Sequence, residues 1–131
     1  MGLDMYLYAG SPDKINKDKC FFDTSPLGDE LAYWRKAYVI DRWFDKHCKC
    51  IEEKCIYEVT RDNLKDLTRI CMEVLLLEDP KYAYKHLPYK EEYKETDYDW
   101  IYFDDLRKTI DKLMEALSRN SSRIFTYIAS W

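Results

Sequence analysis

Residues 28–47 read Gly28-Asp29-Glu30-Leu31-Ala32-Tyr33-Trp34-Arg35-Lys36-Ala37-Tyr38-Val39-Ile40-Asp41-Arg42-Trp43-Phe44-Asp45-Lys46-His47. Asp29 is placed to cap a helix, Glu30 suits its positive N-terminal end, and Lys46 with His47 suit its C-terminal end. The stretch therefore predicts one long helix over 29–47. At about 100° per residue, Tyr33, Ala37, Ile40 and Phe44 fall on one narrow stripe, which is assigned to the core. Trp34 and Asp41 share a shoulder of that helix, with Arg35, Tyr38 and Arg42 beyond it. A ring beside guanidinium groups and a carboxylate can grip a ligand. The same residues can equally form a helix edge whose long side chains cover their own core.

Outward from this stretch the periodicities are simpler. Residues 3–8 alternate, with Leu3, Met5 and Leu7 on one side, and predict a half-buried strand closed by Gly10-Ser11-Pro12. Residues 11–28 read as a long surface connection pinned by Cys20-Phe21-Phe22. A short strand is expected at 56–59, and Thr60 caps a helix over 61–78 whose buried stripe is Leu64, Leu67, Cys71, Val74 and Leu75. Residues 80–99 read as loop with a helical turn at 81–86. A third helix, 102–118, carries Phe103, Leu106, Ile110, Leu113 and Leu117. Residues 124–130 form a strand apolar on both faces, which suits the middle of a sheet. The expected fold is one α+β domain over residues 1–131 in the order β-α-β-α-α-β. Its small, mainly antiparallel sheet packs on three helices, with the first and last strands paired.

The 131 residues can bury one core, and 47% hydrophobic with 35% charged residues marks a globular chain. Net charge is −4, from 21 basic and 25 acidic residues, which argues against a phosphate-backbone binder but leaves room for a local basic pocket. Twelve tyrosines and four tryptophans are more rings than a chain of this size can bury completely, so a minority are expected to line a contact site. Five cysteines, an odd number, with no leader pattern after Met1 fit a reduced cytoplasm. The longest apolar run, Val74 to Leu77, is far too short to span a membrane. Tyr6 stands where a myristoylation signal on Gly2 would need Ser or Thr.

Five blocks together carry a resemblance. They are Gly2-Leu3-Asp4-Met5-Tyr6-Leu7; Tyr33-Trp34-Arg35-Lys36-Ala37 running on to Ile40 and Trp43-Phe44; Cys55 with Tyr57-Glu58-Val59; Tyr98-Asp99 with Tyr102, Asp104-Asp105-Leu106 and Thr109; and Ser130-Trp131. In this order they resemble a family of small uncharacterised bacteriophage and prophage proteins over nearly the whole chain. The chain departs from that family at Tyr38 and Asp41, where members carry Asn and His. It departs again at Tyr89-Lys90-Glu91-Glu92-Tyr93, where members carry an aromatic segment with glycine and serine. The resemblance implies a phage origin, an accessory role in the host cytoplasm and, commonly for such proteins, counteraction of a host defence. It supplies no catalytic residue.

Among clusters with chemistry, His47, Cys48, Cys50 and Cys55 are four residues of zinc-ligand type within nine positions, but their spacing lacks the gaps of zinc knuckles. A cysteine nucleophile with His47 or His86 lacks an orienting third group. Asp97, Asp99, Asp104 and Asp105 read as a solvated face and a helix start. The three glycines form no phosphate loop. These features predict a non-enzymatic binding protein without a cofactor. Its expected site comprises Trp34, Arg35, Tyr38, Asp41, Arg42 and Tyr98, taking a small nucleotide-like ligand by stacking and charge-assisted bonds. Arg35, Lys36 and Arg42 concentrate positive charge beside Trp34 and favour that reading. One alternative is an acidic, aromatic surface that docks on a host defence protein; another is a small zinc- or cysteine-dependent enzyme. A homodimer is compatible with either binding reading.

Overall fold

A computed structural model describes residues 2–15, 25–52 and 54–131; the expected anchor at Cys20-Phe21-Phe22 lies outside them. Strand β1, Asp4–Tyr8, alternates as its sequence requires, with Leu3, Met5 and Leu7 completely buried. The last strand, Ile124–Ser130, pairs with it antiparallel from Asp4↔Ser130 to Tyr8↔Thr126. That last strand is central, and residues 125–129 are all buried, so its two apolar faces are both used. We label it β5, because β2 (Glu30–Arg35), β3 (Lys49–Glu52) and β4 (Ile56–Thr60) intervene. The five-stranded sheet runs β2-β1-β5-β4-β3 with antiparallel neighbours throughout.

The helix expected over 29–47 is therefore two elements. Residues 30–35 form β2 on the edge beside β1, and the helix α1 is only Tyr38–His47. Lys36 makes the switch with φ 56°, a left-handed backbone that a helix cannot contain, and its N–H donates to the Leu3 carbonyl at 2.7 Å. Pairing with β1 satisfies the backbone of both strands, which outweighs the helix propensities of Leu31 to Lys36, since these differ by only about 0.7 kcal/mol per residue or less. Of the expected core stripe, Ala37, Ile40 and Phe44 are buried, but Tyr33 points out from β2 and is 39% exposed.

Helix α2, Arg61–Leu77, begins at the expected cap. The Thr60 hydroxyl accepts from Asn63 N–H at 3.0 Å, and the Asn63 amide oxygen accepts from Thr60 N–H at 2.9 Å. The helical turn expected at 81–86 is a full short helix, α3 (Pro80–His86), capped by Asp79. Helix α4, Trp100–Arg119, starts where the Asp99 carboxylate accepts from Ile101 and Tyr102 N–H, both at 3.1 Å. The first residue of α2 clasps the far end of α4. Arg61 donates to the carbonyls of Leu117, Asn120 and Ser122 at 2.6, 2.7 and 3.2 Å, so the two helices run antiparallel. The observed order is thus β-β-α-β-β-α-α-α-β, with two strands and one helix beyond those expected.

The helices cover one face of the sheet, against Met5, Trp34, Tyr57, Val59, Phe125 and Tyr127. A smaller cluster of Ile15, Leu27, Ile56 and Ile128 packs on the other face. Each fully buried aliphatic side chain contributes about 1.5–3 kcal/mol, so the helix-side cluster holds most of the stability. The architecture is α+β, and among the described residues no helix is long and apolar enough to cross a membrane.

Candidate functional site

Helix α1 positions the site, because its apolar side is consumed by the core and its other side faces residues 85–99. Val39, Ile40, Trp43 and Phe44 are buried. Arg42 and Lys46, four residues apart, form one outward row, and Tyr38, Asp41 and Asp45 form the next. Opposite them runs the segment after α3, which tyrosines fasten down. Tyr102 donates its hydroxyl to the Leu87 carbonyl at 2.7 Å, Tyr89 N–H donates to the Tyr98 hydroxyl at 3.1 Å, and Tyr84 donates to the Glu91 carbonyl. Their rings continue as a ladder, with Tyr84–Tyr93, Tyr93–Tyr98 and Tyr98–Tyr102 centroids 5.2, 5.9 and 4.9 Å apart.

Between α1 and this segment lie two adjoining cavities of about 350 and 380 Å³, which share Arg42, Lys46, Lys85 and Pro88. Together they make a groove lined by Arg42, Lys46, His47, Lys85, His86 and Lys90. Among the described residues its one carboxylate, Glu91, sits 3.6 Å from Arg42 and is 91% exposed. An ion pair so open to water contributes little and yields readily to a competing anion. Four permanent cations thus face one carboxylate on a chain whose net charge is −4. The groove floor is Trp43, on which the His47 imidazole stacks at 4.7 Å and 12°. Arg42 Nε and Trp43 Nε1 are buried donors without a hydrogen-bond partner among the described residues. An unpartnered buried N–H costs about 1–3 kcal/mol, and both of these belong to residues of the groove wall.

Along the same helix, a cavity of about 280 Å³ is lined by Tyr38, Asp41, Arg42, Asp45, Lys54, Tyr57, Tyr89 and Trp131. Arg42 is common to it and the basic groove. Its two carboxylates are each held from below by a buried phenol. Tyr127 donates to Asp41 at 2.6 Å and Tyr57 donates to Asp45 at 2.7 Å. Burial pushes the Asp41 carboxyl above its usual range; the Tyr127 hydrogen bond opposes this and the Asp45 charge adds to it. A third cavity, about 320 Å³, lies beyond Tyr38 and Tyr89 and holds Lys36, Asp97, Asp99 and Asp105. Burial pushes Asp105 up to about 6.

The structure redistributes the residues expected at the site. Trp34 is not a partly exposed ring on a helix shoulder: it lies on β2, is 4% exposed, donates Nε1–H to Thr109 Oγ1 at 2.9 Å and packs edge-on to Phe44. Arg35 is exposed at the end of the edge strand, apart from α1's outward rows, and Lys36 lines the acidic cavity rather than a basic one. Tyr98 is 5% exposed and belongs to the ring ladder. Tyr38, Asp41 and Arg42 do come together, on α1. Lys85 and Lys90 have no sequence signal that joins them to this site, because only the fold brings α3 and its following loop against α1, and Lys46 reads from the sequence only as a helix-end charge.

The zinc-type cluster is dispersed. His47 stacks on Trp43, Cys48 is half-buried against the core, Cys50 is exposed on the edge strand β3, and Cys55 packs on the opposite-face cluster. Among the described residues no group of three or more His, Cys, Asp or Glu is placed to hold a metal ion. Burial pushes the Cys48 and Cys71 thiols up to about 12, which keeps both protonated at neutral pH and poor nucleophiles. No protein-family model, curated protein or solved structure matches the chain.

Proposed function

We propose that the protein is a non-enzymatic binding protein that holds a small, nucleotide-like anion in the groove between α1 and residues 85–91. The observation that carries this reading is the convergence of Arg42, Lys46, Lys85 and Lys90 against a single exposed carboxylate in an acidic chain. Guanidinium and ammonium groups on opposite walls suit a phosphate-bearing ligand, and the His47 imidazole stacked on the nearly buried Trp43, with Pro88 beside it, gives the groove a planar surface. The resemblance to phage proteins supports a setting in which the bound ligand is a signal of a host defence, removed from circulation by sequestration. The test is recovery: protein purified from host extract is heated, and the supernatant is resolved by chromatography and mass spectrometry. Release of an unmodified phosphate-bearing molecule from wild type, and not from a folded Lys85→Glu/Lys90→Glu variant, is expected. A converted product would make the protein an enzyme, and equal recovery from both proteins would move the site.

Docking on a host protein remains a second reading, because one end of the helical layer is bare. Leu76, Leu77 and Trp100 are 85%, 55% and 75% exposed. Glu78, Asp104 and Arg107 surround Trp100 and Phe103 in a depression. A large exposed ring with leucines and a charged rim is the type of patch that partners cover.

A further inference from the structure

We infer that the ligand is a purine nucleotide whose base enters the cavity of Asp41 and Asp45 while its phosphates lie in the basic groove, so that guanine is selected by its N–H edge. This rests on the anion reading above and adds the identity of the base. Four observations place the two halves of such a ligand. Arg42 lines the basic groove and the carboxylate cavity alike, so they adjoin along α1 rather than on separate surfaces. The carboxylate cavity is walled by Tyr38, Tyr89 and Trp131, rings suited to a planar base, with the Tyr38 and Trp131 centroids 6.2 Å apart. At about 280 Å³ it has room for a base. Each carboxylate is oriented by one phenol on its Oδ1, and Oδ2 together with the second lone pair of Oδ1 remains to accept further donors.

Acceptors select among bases by chemistry alone. A carboxylate can take two parallel N–H bonds from guanine N1 and its exocyclic amine. Hypoxanthine offers N1–H without the amine. Adenine offers its amine beside N1, an acceptor that a carboxylate repels. The groove's cations suit two phosphates, so nucleoside diphosphates are the probes.

Wild type is titrated calorimetrically with GDP, IDP, ADP and pyrophosphate, and Asp41→Asn and Asp45→Asn variants with GDP and IDP. The expected result is that GDP binds about tenfold or more tightly than IDP, with ADP weaker still, since a bidentate base contact commonly discriminates by that much. One of the two Asn variants should narrow the GDP–IDP gap, which identifies the carboxylate that holds the base edge, and both should still bind pyrophosphate. Equal affinity for GDP, IDP and ADP, with pyrophosphate bound, overturns the base assignment and leaves the anion reading standing. Failure of every probe, pyrophosphate included, overturns both. The wild-type panel decides the matter even if an Asn variant does not fold.

Discussion

Replacing Trp34 with Ala separates the two structures that residues 28–47 allow. On an exposed helix shoulder, the loss of this ring would stay within about 0.5 kcal/mol, as surface changes usually do. On β2 the ring is 4% exposed, packs on Phe44 at 6.2 Å and stands opposite Met5 on β1. Its removal leaves a cavity that the strand and helix α4 cannot both close, and a Trp→Ala change of this kind costs about 3–5 kcal/mol. The indole also donates to Thr109 Oγ1 at 2.9 Å. That loss adds little, because the Thr109 hydroxyl still donates to the Asp105 carbonyl at 2.7 Å and keeps a partner. For a chain of this length each kcal/mol moves the thermal midpoint by about 3–5 °C, so Trp34→Ala should fall by about 10–20 °C. Arg35→Ala, one residue on and pointing outward, is the internal control and should stay within about 2 °C of wild type. Thermal unfolding followed by circular dichroism reads both. A Trp34→Ala midpoint within about 2 °C of wild type would refute the strand and the packing derived from it.

Three further outcomes follow from named contacts. Arg61→Ala removes three hydrogen bonds to carbonyls at the end of α4 and the turn after it, and should lower stability by about 2 kcal/mol in urea unfolding, with Arg61→Lys recovering only part. Asp105 carries a folded pKa of about 6, raised mainly by burial, so the folded state holds its proton more tightly than the unfolded chain does. Its contribution to stability is therefore full below about pH 4 and is lost as pH rises through about 6. Asp105→Asn should accordingly raise the thermal midpoint at pH 7 and give no gain at pH 4. Elemental analysis of protein purified without chelator should find no stoichiometric zinc; one zinc per chain, lost in Cys48→Ser/Cys50→Ser, would contradict the dispersal of that cluster.

What the sequence revealed depended on how pure each pattern was. β1 was legible because its alternation is unbroken, and β5 because it is apolar on both faces, which correctly placed it inside the sheet beside β1. Helix α2 was legible from Thr60 and a regular stripe, and α4 from its own stripe. β2 was hidden because Leu31 and Ala32 are both buried at a register shift, which breaks the two-residue period. Its residues are tolerable helix formers, and nothing local announces the left-handed backbone of Lys36. β3 has four residues and no buried one, so it carries no periodic signal at all. The site was half legible for a related reason. Tyr38, Asp41 and Arg42 are neighbours on one helix, whereas Lys85 and Lys90 reach them only through the tyrosine contacts that fasten residues 87–98.

The claim that the basic groove holds a small phosphate-bearing anion meets its most direct test in one calorimetric titration. Pyrophosphate is added to wild type and to a Lys46→Glu/Lys85→Glu variant, at low salt and again at about 1 M salt, where charges are screened beyond about 3 Å. The groove predicts saturable binding by wild type with one ligand per chain, weakened by salt and abolished in a variant whose fold and thermal midpoint are unchanged. Binding of equal strength by both proteins, or no binding by wild type at low salt, would contradict it.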